Sequence, residues 1–343
     1  MKALIIGGAG FIGCNIAQRL IQEGAEVWIL DNLSRKGTQS NLKWLQGRGE
    51  VHFIEGDIRR FAPVRAVFRK HRDFDVVYHM AAQVAVTTSV SNPREDFEIN
   101  ALGTFNVLEG IRVSGSRPIL IFASTNKVYG GMEDVKVVEK DGRYMYENIP
   151  AGIPEDRMLD FHSPYGCSKG AADQYVRDYA RIYGLRTITF RQSCIYGYRQ
   201  FGVEDQGWVA WFTIQAVLNR PITIYGDGKQ VRDMLFIDDL INAYQTAIQH
   251  INVTDGKIYN IGGGPSNTMC LHDLVNYLER LSSRKLKLNY EGWRPGDQPV
   301  FVSDIHKAKQ EINWEPLVNP EQGVLRLYTW VSENQALILS EGL

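Results

Sequence analysis

The chain has 343 residues, 44% of them hydrophobic and 22% charged, and a formal net charge of -1, with a pI of about 6.7. That length buries a sizeable core in one large or two modest domains, and the neutral charge balance argues against nucleic acid or an anionic membrane surface as partner. No apolar run approaches the roughly eighteen residues of a membrane span, and the first strand follows directly on Lys2, so the expected compartment is the cytoplasm. Cys14, Cys167, Cys194 and Cys270 are scattered and form no C-x-x-C pair, which predicts reduced packing cysteines and no metal site.

Ala3-Leu4-Ile5-Ile6 reads as a buried strand that ends in Gly7-Gly8-Ala9-Gly10-Phe11-Ile12-Gly13. Three glycines have three separate tasks there. Gly7 allows a tight turn, Gly10 lets a pyrophosphate approach the backbone, and Gly13 lets the following helix pack closely on the sheet. The main chain of Phe11 and Ile12 opens that helix, whose N-terminus offers unpaired N–H groups and a positive dipole end to an anion. Glu26 to Leu30 is the next strand, closed by Asp31 at the place where an acid hydrogen-bonds an adenosine ribose. Asp31 favours NAD over NADP because a carboxylate repels a 2'-phosphate; Arg35 and Lys36 are the nearby charges that pull the other way.

Asn32 to Asn41, including Ser34 and Arg35, is expected to be a loop beside the adenosine. Val51 to Ile54 is a third strand. Asp57, followed by Ile58, either accepts from the adenine amino group or N-caps a helix starting near Arg60. Val76 to Met80 is a fourth strand whose His79 reads as structural, and Ala81-Ala82-Gln83 after it are small enough for a dinucleotide to pass. From Pro93 to Val113 the residues Phe97, Ala101, Phe105, Leu108 and Ile111 recur at helical spacing, which predicts one long amphipathic helix. Asn100 within it either bridges to the active site or sits on an exposed face.

Ile119 to Ala123 is the fifth strand, and it delivers Ser124-Thr125-Asn126-Lys127 to the sheet edge. Alternating strands and helices predict an α/β fold built on a doubly wound parallel sheet, with ligands at the strands' carboxyl ends. Ser163-Pro164-Tyr165-Gly166-Cys167-Ser168-Lys169 then opens a second long helix, with Ser163 as its N-cap. Tyr165 and Lys169 are four apart and share a helix face. A phenol titrates near 10, but an adjacent ammonium and an oxidised nicotinamide both favour the phenolate, which turns it into a base. Lys169 is also placed to bond the nicotinamide ribose, and Thr125 to donate to a substrate oxygen.

With these motifs assembled, the chain resembles the extended short-chain dehydrogenase/reductase family, whose members act on nucleotide-activated sugars. The resemblance rests on the Gly7 to Gly13 loop, Asp31, Asp57, His79-Met80-Ala81-Ala82, Asn100, Thr125, Val128-Tyr129-Gly130 and the Tyr165/Lys169 pair. It continues through Tyr196-Gly197, Arg232-Asp233, Ile237-Asp238-Asp239 and Arg294-Pro295-Gly296-Asp297. It implies NAD as cofactor, a Rossmann-type domain over 1–198 and a smaller α/β substrate lobe over 199–343, with a stretch near 230–262 returning to the first domain. It also implies Thr125, Tyr165 and Lys169 as catalytic residues, with Ala81, Ala82, Gln83, Asn100 and Ser124 among the cofactor contacts. Arg232 and Arg294 correspond to arginines that hold the nucleotide diphosphate. Asn126, Lys127, His162, Arg199, Gln200 and Tyr225 join them as substrate candidates, and so does Cys194 by position. Many members carry Asn there, so the contact that Asn makes does not transfer to the thiol.

Within the family, dehydratases resemble one another in an Asp-Glu pair directly after the catalytic Thr; here Asn126-Lys127 stands there, and elimination of water lacks its acid and base. The longer strings Ser124 to Gly130, Leu159 to Tyr175, and Arg199-Gln200-Phe201 with Asp205-Gln206-Gly207-Trp208 resemble the branch that epimerises a CDP-linked sugar at C2. A UDP-sugar 4-epimerase is the alternative of the same class, and a dinucleotide-sensing protein without turnover the alternative of another. The expected partner is a nucleotide-diphosphate sugar, with no nucleic acid and no membrane. The helices Pro93 to Val113 and Pro164 to Tyr183 match those that build dimers in the family, so a homo-oligomer, a dimer or tetramer, is expected.

Overall fold

The structure, a computed structural model, describes residues 1–294 and 296–343; Pro295, part of the Arg294 to Asp297 string, lies outside the described residues. Two compact units are present. The first takes Met1–Val128, Phe161–Arg191 and Ile241–Tyr259; the second takes Tyr129–Asp160, Gln192–Leu240 and Asn260–Leu343.

The first unit is built on β1 (Lys2–Ile6), β2 (Glu26–Asp31), β3 (Val51–Glu55), β4 (Val76–His79), β5 (Ile119–Thr125), β6 (Arg186–Gln192) and β7 (Lys257–Ile261), in the sheet order β7-β6-β5-β4-β1-β2-β3. The pairs β1/β2, β1/β4, β2/β3 and β4/β5 are parallel, and their register sets Ile6 against both Leu30 and His79, and His79 against Phe122. The chain order therefore reverses on either side of β1, and every loop after Ile6, Asp31, His79 and Thr125 emerges at one edge. That edge is where a doubly wound sheet opens a crevice.

Both faces of the sheet are covered, as the unbroken apolar runs require. On one face Leu4, Ile6, Val77, Leu120 and Phe122 pack against Val64 and Phe68 of a helix in the 61–70 stretch, Val107, Leu108 and Ile111 of a helix in the 103–114 stretch, and Val176 of the helix that carries Tyr165. Full burial of each large side chain there contributes about 2–3 kcal/mol. On the other face Tyr244 meets Tyr78 and Phe190 at ring distances of 6.2 and 4.9 Å, and Arg19 bonds Asn242 at 3.1 Å. In chain order the helices of this unit are α1 (Phe11–Gln22), α2 (Thr38–Gln46), α3 (Phe61–Lys70), α4 (Val86–Ser91), α5 (Pro93–Phe97), α6 (Gly103–Ser114) and α7 (Ser163–Tyr183).

Three local expectations change. The loop after Asp31 is shorter, because α2 already begins at Thr38, behind Gly37 at φ +79°. Asp57 does not cap α3, whose N-cap is Arg60 without a side-chain bond; it caps its own turn, accepting the Arg59 N–H at 2.9 Å. The helix expected over 93–113 is broken by a π-helical turn, Glu98–Leu102. Phe97, expected on the apolar face, is exposed, and Asn100 is buried, the inward of its two expected placements. Of the cysteines, Cys14 and Cys270 are buried and Cys167 is exposed, and none of the four is in a disulfide.

The second unit combines a three-stranded sheet (Thr268–Cys270, Val231–Asp233, Val300–Phe301), a parallel pair (Ile222–Tyr225 and Leu288–Glu291) and the hairpin Val137–Lys140/Arg143–Tyr146. Its helices include Trp208–Val217, Leu271–Ser282 and Pro320–Glu333. The last two start in capping boxes, Cys270 with Asp273 and Asn319 with Gln322. Among the described residues no helix is long and apolar enough to cross a membrane, and no group of three or more His, Cys, Asp or Glu is placed to hold a metal.

α7 is locked to β6 by a buried ion pair: Arg191 donates to both oxygens of Asp173 at 3.1 Å, and Ser124 donates to the same carboxylate at 2.6 Å. Removing one partner strands a charge in the core. Arg191→Leu is expected to cost about 3–5 kcal/mol in urea unfolding, and adding Asp173→Leu to recover part of that loss; a single-variant cost below about 1 kcal/mol would show the pair to be energetically idle.

Candidate active site

The glycine loop is shaped by backbone, not by side chains. Gly7 adopts φ +79° and donates to Leu30 O at 2.8 Å, and a Cβ added to it would lie 2.5 Å from Ala81 N. At Gly13 a Cβ would lie 2.2 Å from Gly7 O. Gly10 differs. Its φ of -70° suits any residue, and a Cβ there would meet only Gly7 O, at 3.2 Å. What a side chain at Gly10 would occupy is the open space in front of the first turn of α1, where no side chain caps the N-terminus and no acidic residue stands. Phe11 and Ile12, both half-buried, open that turn. An uncapped helix start facing a hollow kept clear by glycine fits the diphosphate of a dinucleotide.

The residues around it are placed at the same edge. Asp31 accepts from Ala9 N at 3.0 Å and Leu33 N at 2.8 Å, so it braces the glycine loop, and burial raises its carboxyl above the usual range. Asn32 accepts from the Ser34 hydroxyl at 2.7 Å and donates to Asp57 at 3.4 Å. Asp57 is held below the ordinary carboxylate range by Arg59, which reaches it at 2.6 Å. Ile58 has its side chain in the core and its carbonyl bonded by Asn106 at 2.8 Å. Arg35 is within electrostatic reach of both Asp31 and Tyr165. Ala81 donates to Ile6 O at 2.9 Å, and Ala82 follows it half-buried.

Thr125 ends β5, and its hydroxyl hydrogen-bonds the Tyr165 phenol. The same oxygen accepts from Lys127 N at 3.2 Å and lies 3.3 Å from Asn126 Oδ1, which fixes the start of the 3-10 turn Asn126–Tyr129. Tyr165 and Lys169 lie on the first turns of α7, where Ser163 Oγ accepts from Gly166 N at 3.2 Å, the cap expected of it, although the helix is counted from Ser163 with His162 outside. His162 is exposed. Lys169 donates to Ala123 O at 2.6 Å and lies 4.4 Å from the Phe122 ring centroid.

The electrostatics of this cluster differ from the simple Tyr–Lys argument. Burial pushes the Lys169 ammonium down to about 8, with Asp173 and Asp96 opposing it. Burial also pushes the Tyr165 phenol up to about 12, and the groups that modify this are Thr125 and Arg35, which lower it, and Asp96, which raises it. The protein's own charges therefore do not by themselves make the phenol a base at neutral pH. His79 is fully buried, held neutral with a pKa of about 3, and bonded to Thr104 at 3.0 Å, in keeping with a structural histidine.

Two expected cofactor contacts are spent within the protein. Ser124 is bonded to Asp173, and Asn100 accepts from Gln83 N and donates toward Gln83 O, both at 3.0 Å. Asn100 lies in the π-helical turn and is buried, and its amide reaches the loop after β4. Sequence reasoning missed Asp96 and Ser168, which join this same network; only the Tyr-x-x-Ser-Lys string hinted at Ser168, and nothing singled out Asp96.

In the second unit Arg232 is half-buried and donates to Asp297 at 2.6 Å, and Arg294 meets Asp205 at 3.2 Å and Glu204 O at 3.0 Å. Arg294 also lies 3.7 Å from the Tyr225 ring centroid. Each expected diphosphate arginine thus carries an acidic neighbour. Arg199 (φ +60°) and Gln200 are buried, and Gln200 Oε1 has no hydrogen-bond partner. The Cys194 thiol is pushed up to about 12 by burial, which makes it a neutral packing group.

Gly7→Ala pays for a left-handed φ, about 1–2 kcal/mol, and a clash with Ala81 besides; Gly10→Ala meets neither penalty. The expected result is a destabilised Gly7→Ala, and a Gly10→Ala that melts like the parent but binds NAD on the order of tenfold more weakly, read by calorimetric titration. Unaltered NAD affinity in Gly10→Ala would remove the diphosphate from that hollow.

Residues 3–262 match the NAD dependent epimerase/dehydratase family. The chain is 47% identical over 337 residues, 97% of its own length and 99% of the relative's, to CDP-paratose 2-epimerase from Salmonella typhi. In structure it is similar to UDP-glucose 4-epimerase from Thermotoga maritima with UDP-glucose (TM-score 0.84, 31% identity, 98% of this chain and 100% of that one). It is also similar to Thermus thermophilus UDP-glucose 4-epimerase in complex with NAD (TM-score 0.81, 30% identity, 96% and 98% covered). The chain thus belongs to the NAD-dependent epimerase/dehydratase family, the extended branch of the short-chain dehydrogenases/reductases, and is an NAD-dependent enzyme.

Proposed function

We propose that the protein is an isomerase that inverts C2 of a CDP-linked dideoxyhexose, interconverting CDP-paratose and CDP-tyvelose. The observation that carries this reading is the 47% identity to CDP-paratose 2-epimerase over nearly the whole of both chains. The site chemistry supports the same class of reaction. Thr125 is followed by Asn126 and Lys127, with no carboxylate to drive elimination of water.

The glycine loop and the start of α1 would hold NAD at its diphosphate, Asp31 would hold it at the adenosine ribose, and Lys169 at the nicotinamide ribose. When bound it supplies the hydride acceptor and donor, and in its oxidised form a positive charge that favours the Tyr165 phenolate. Tyr165 takes the proton of the sugar hydroxyl as the ring carbon is oxidised to a ketone. Thr125 donates to the same oxygen and steadies the charge that grows on it. After the keto-sugar has turned, Tyr165 returns the proton, and the hydroxyl is rebuilt on the opposite face. Arg232 and Arg294 hold the nucleotide diphosphate, exchanging part of their bonding with Asp297 and Asp205 for phosphate oxygens. The diphosphate is then the fixed point about which the sugar rotates.

Incubation of the purified protein with CDP-paratose, and separately with UDP-glucose, is expected to give CDP-tyvelose from the first and no product from the second. Conversion of the UDP-sugar alone would make the protein a 4-epimerase. Tyr165→Phe removes the proton acceptor and leaves the glycine cradle intact. It is expected to lower kcat by roughly 10²–10⁴-fold with NAD affinity little changed; an undiminished kcat would take the proton transfer away from this phenol.

A further inference from the structure

Beneath the Tyr165/Lys169 face lies a buried carboxylate that the reaction as described does not use. Asp96, 1% exposed, ends its chain between three donors: Ser168 Oγ at 2.5 Å, Gln83 Nε2 at 2.9 Å and Asn100 Nδ2 at 3.1 Å. Burial raises the Asp96 carboxyl above the usual range, and the two amide N–H groups, the Ser168 hydroxyl and the nearby Lys169 charge oppose that shift and favour the ionised form. Ser168 lies between Tyr165 and Lys169 on α7, and Asn100 also donates toward its hydroxyl at 3.1 Å. Gln83 and Asn100 carry the same network to the loop after β4.

We infer that Asp96 is a positioning residue of the epimerisation: through Ser168 and Asn100 it locks the catalytic helix to the loop after β4, and it keeps one negative charge beside both Tyr165 and Lys169. The inference deepens the proposed reaction and rests on that reading for its kinetic arm.

The charges that face this cluster come from several elements. Tyr165 senses Asp96 from α5 and Arg35 from the loop after β2. Lys169 senses Asp96 and, on its own helix, Asp173, whose charge is shared with Arg191 of β6. His79 of β4 is neutral. Asp96 is thus the one of these groups that acts on both catalytic residues in the same sense. Its charge disfavours the phenolate and favours the ammonium, so removing it lowers the pKa of each.

The two consequences separate the charge from the scaffold. In Asp96→Asn, assayed as the NAD complex so that ligand binding offsets any loss of stability, both limbs of the kcat–pH profile are expected to move to lower pH by roughly half a unit or more, whichever residue governs which limb. Asp96→Glu, which restores the charge, is expected to return the profile toward the parent. Ser168→Ala keeps the charge and cuts the link; it is expected to lower kcat with the profile unmoved. Independently of any sugar, the Tyr165 phenol can be titrated by ¹³Cζ-tyrosine NMR, its signal identified by its loss in Tyr165→Phe, and it is expected to titrate lower in Asp96→Asn. A slower Asp96→Asn enzyme with an unshifted profile and phenol would overturn the inference, and so would Asp96→Glu behaving like Asp96→Asn. Failure of the parent to convert any CDP-sugar would sink the proposed reaction alone, because the NMR titration still decides the role of Asp96.

Discussion

The approach of one backbone to another at the end of β1 is the constraint on which the rest of the structure depends. Gly7 turns out of the strand so close to the main chain after β4 that a Cβ would stand 2.5 Å from Ala81 N. This closeness follows from the register, which sets Ile6 beside both Leu30 and His79. Because chain order reverses on either side of β1, the loops there diverge and leave a crevice. Asp31 then ties the second strand to the glycine loop through Ala9 N. The start of α1 is held without a side-chain cap, with its N–H groups left for an anion. A methyl group at Gly7 would push these strand ends apart.

α7 is the second organising element, since it carries Tyr165, Ser168, Lys169 and Asp173 along consecutive turns. Its inward face is polar, which is costly unless each group is satisfied. The structure satisfies each in a different direction: Tyr165 toward Thr125, Ser168 toward Asp96, Lys169 toward Ala123 O, and Asp173 toward Arg191 and Ser124. So the helix is fixed in rotation by bonds to three other elements. Burial sets the chemistry at the same time, lowering the lysine and raising the tyrosine. A cation brought by a ligand would favour the ionised form of a phenol raised in this way.

The second unit shows the same economy in its arginines. Arg232 and Arg294 are always charged, and in the structure each is neutralised by a nearby carboxylate, Asp297 or Asp205, rather than left bare. Arg294 is also stacked on Tyr225, which holds its plane while leaving donors to be shared. Such pairs are partly exposed and so exchange partners at modest cost.

Much of the first unit was legible from residues alone. Apolar runs of four to seven residues broken by glycine and separated by helical periodicity give parallel strands covered on both faces, and the spacing of Gly7, Gly10, Gly13 and Asp31 gives a dinucleotide site, because these are local consequences of sterics and burial. Tyr165 and Lys169 were legible for the same reason, as a spacing of four on a helix. What only the tertiary structure decided depends on neighbours distant in sequence. With a π-helical turn at Glu98–Leu102, Phe97 faces outward, which no fixed 3.6-residue period anticipates, and packing chose the inward of the two placements open to Asn100. Asp57 turned to Arg59 instead of capping α3. Asp96 gained its place only when Gln83, Asn100 and Ser168 converged on it from three elements. Periodicity and motif spacing tell which face of an element is buried and what its turn can bind; the partners of a buried polar group, and with them its charge, are set by long-range packing.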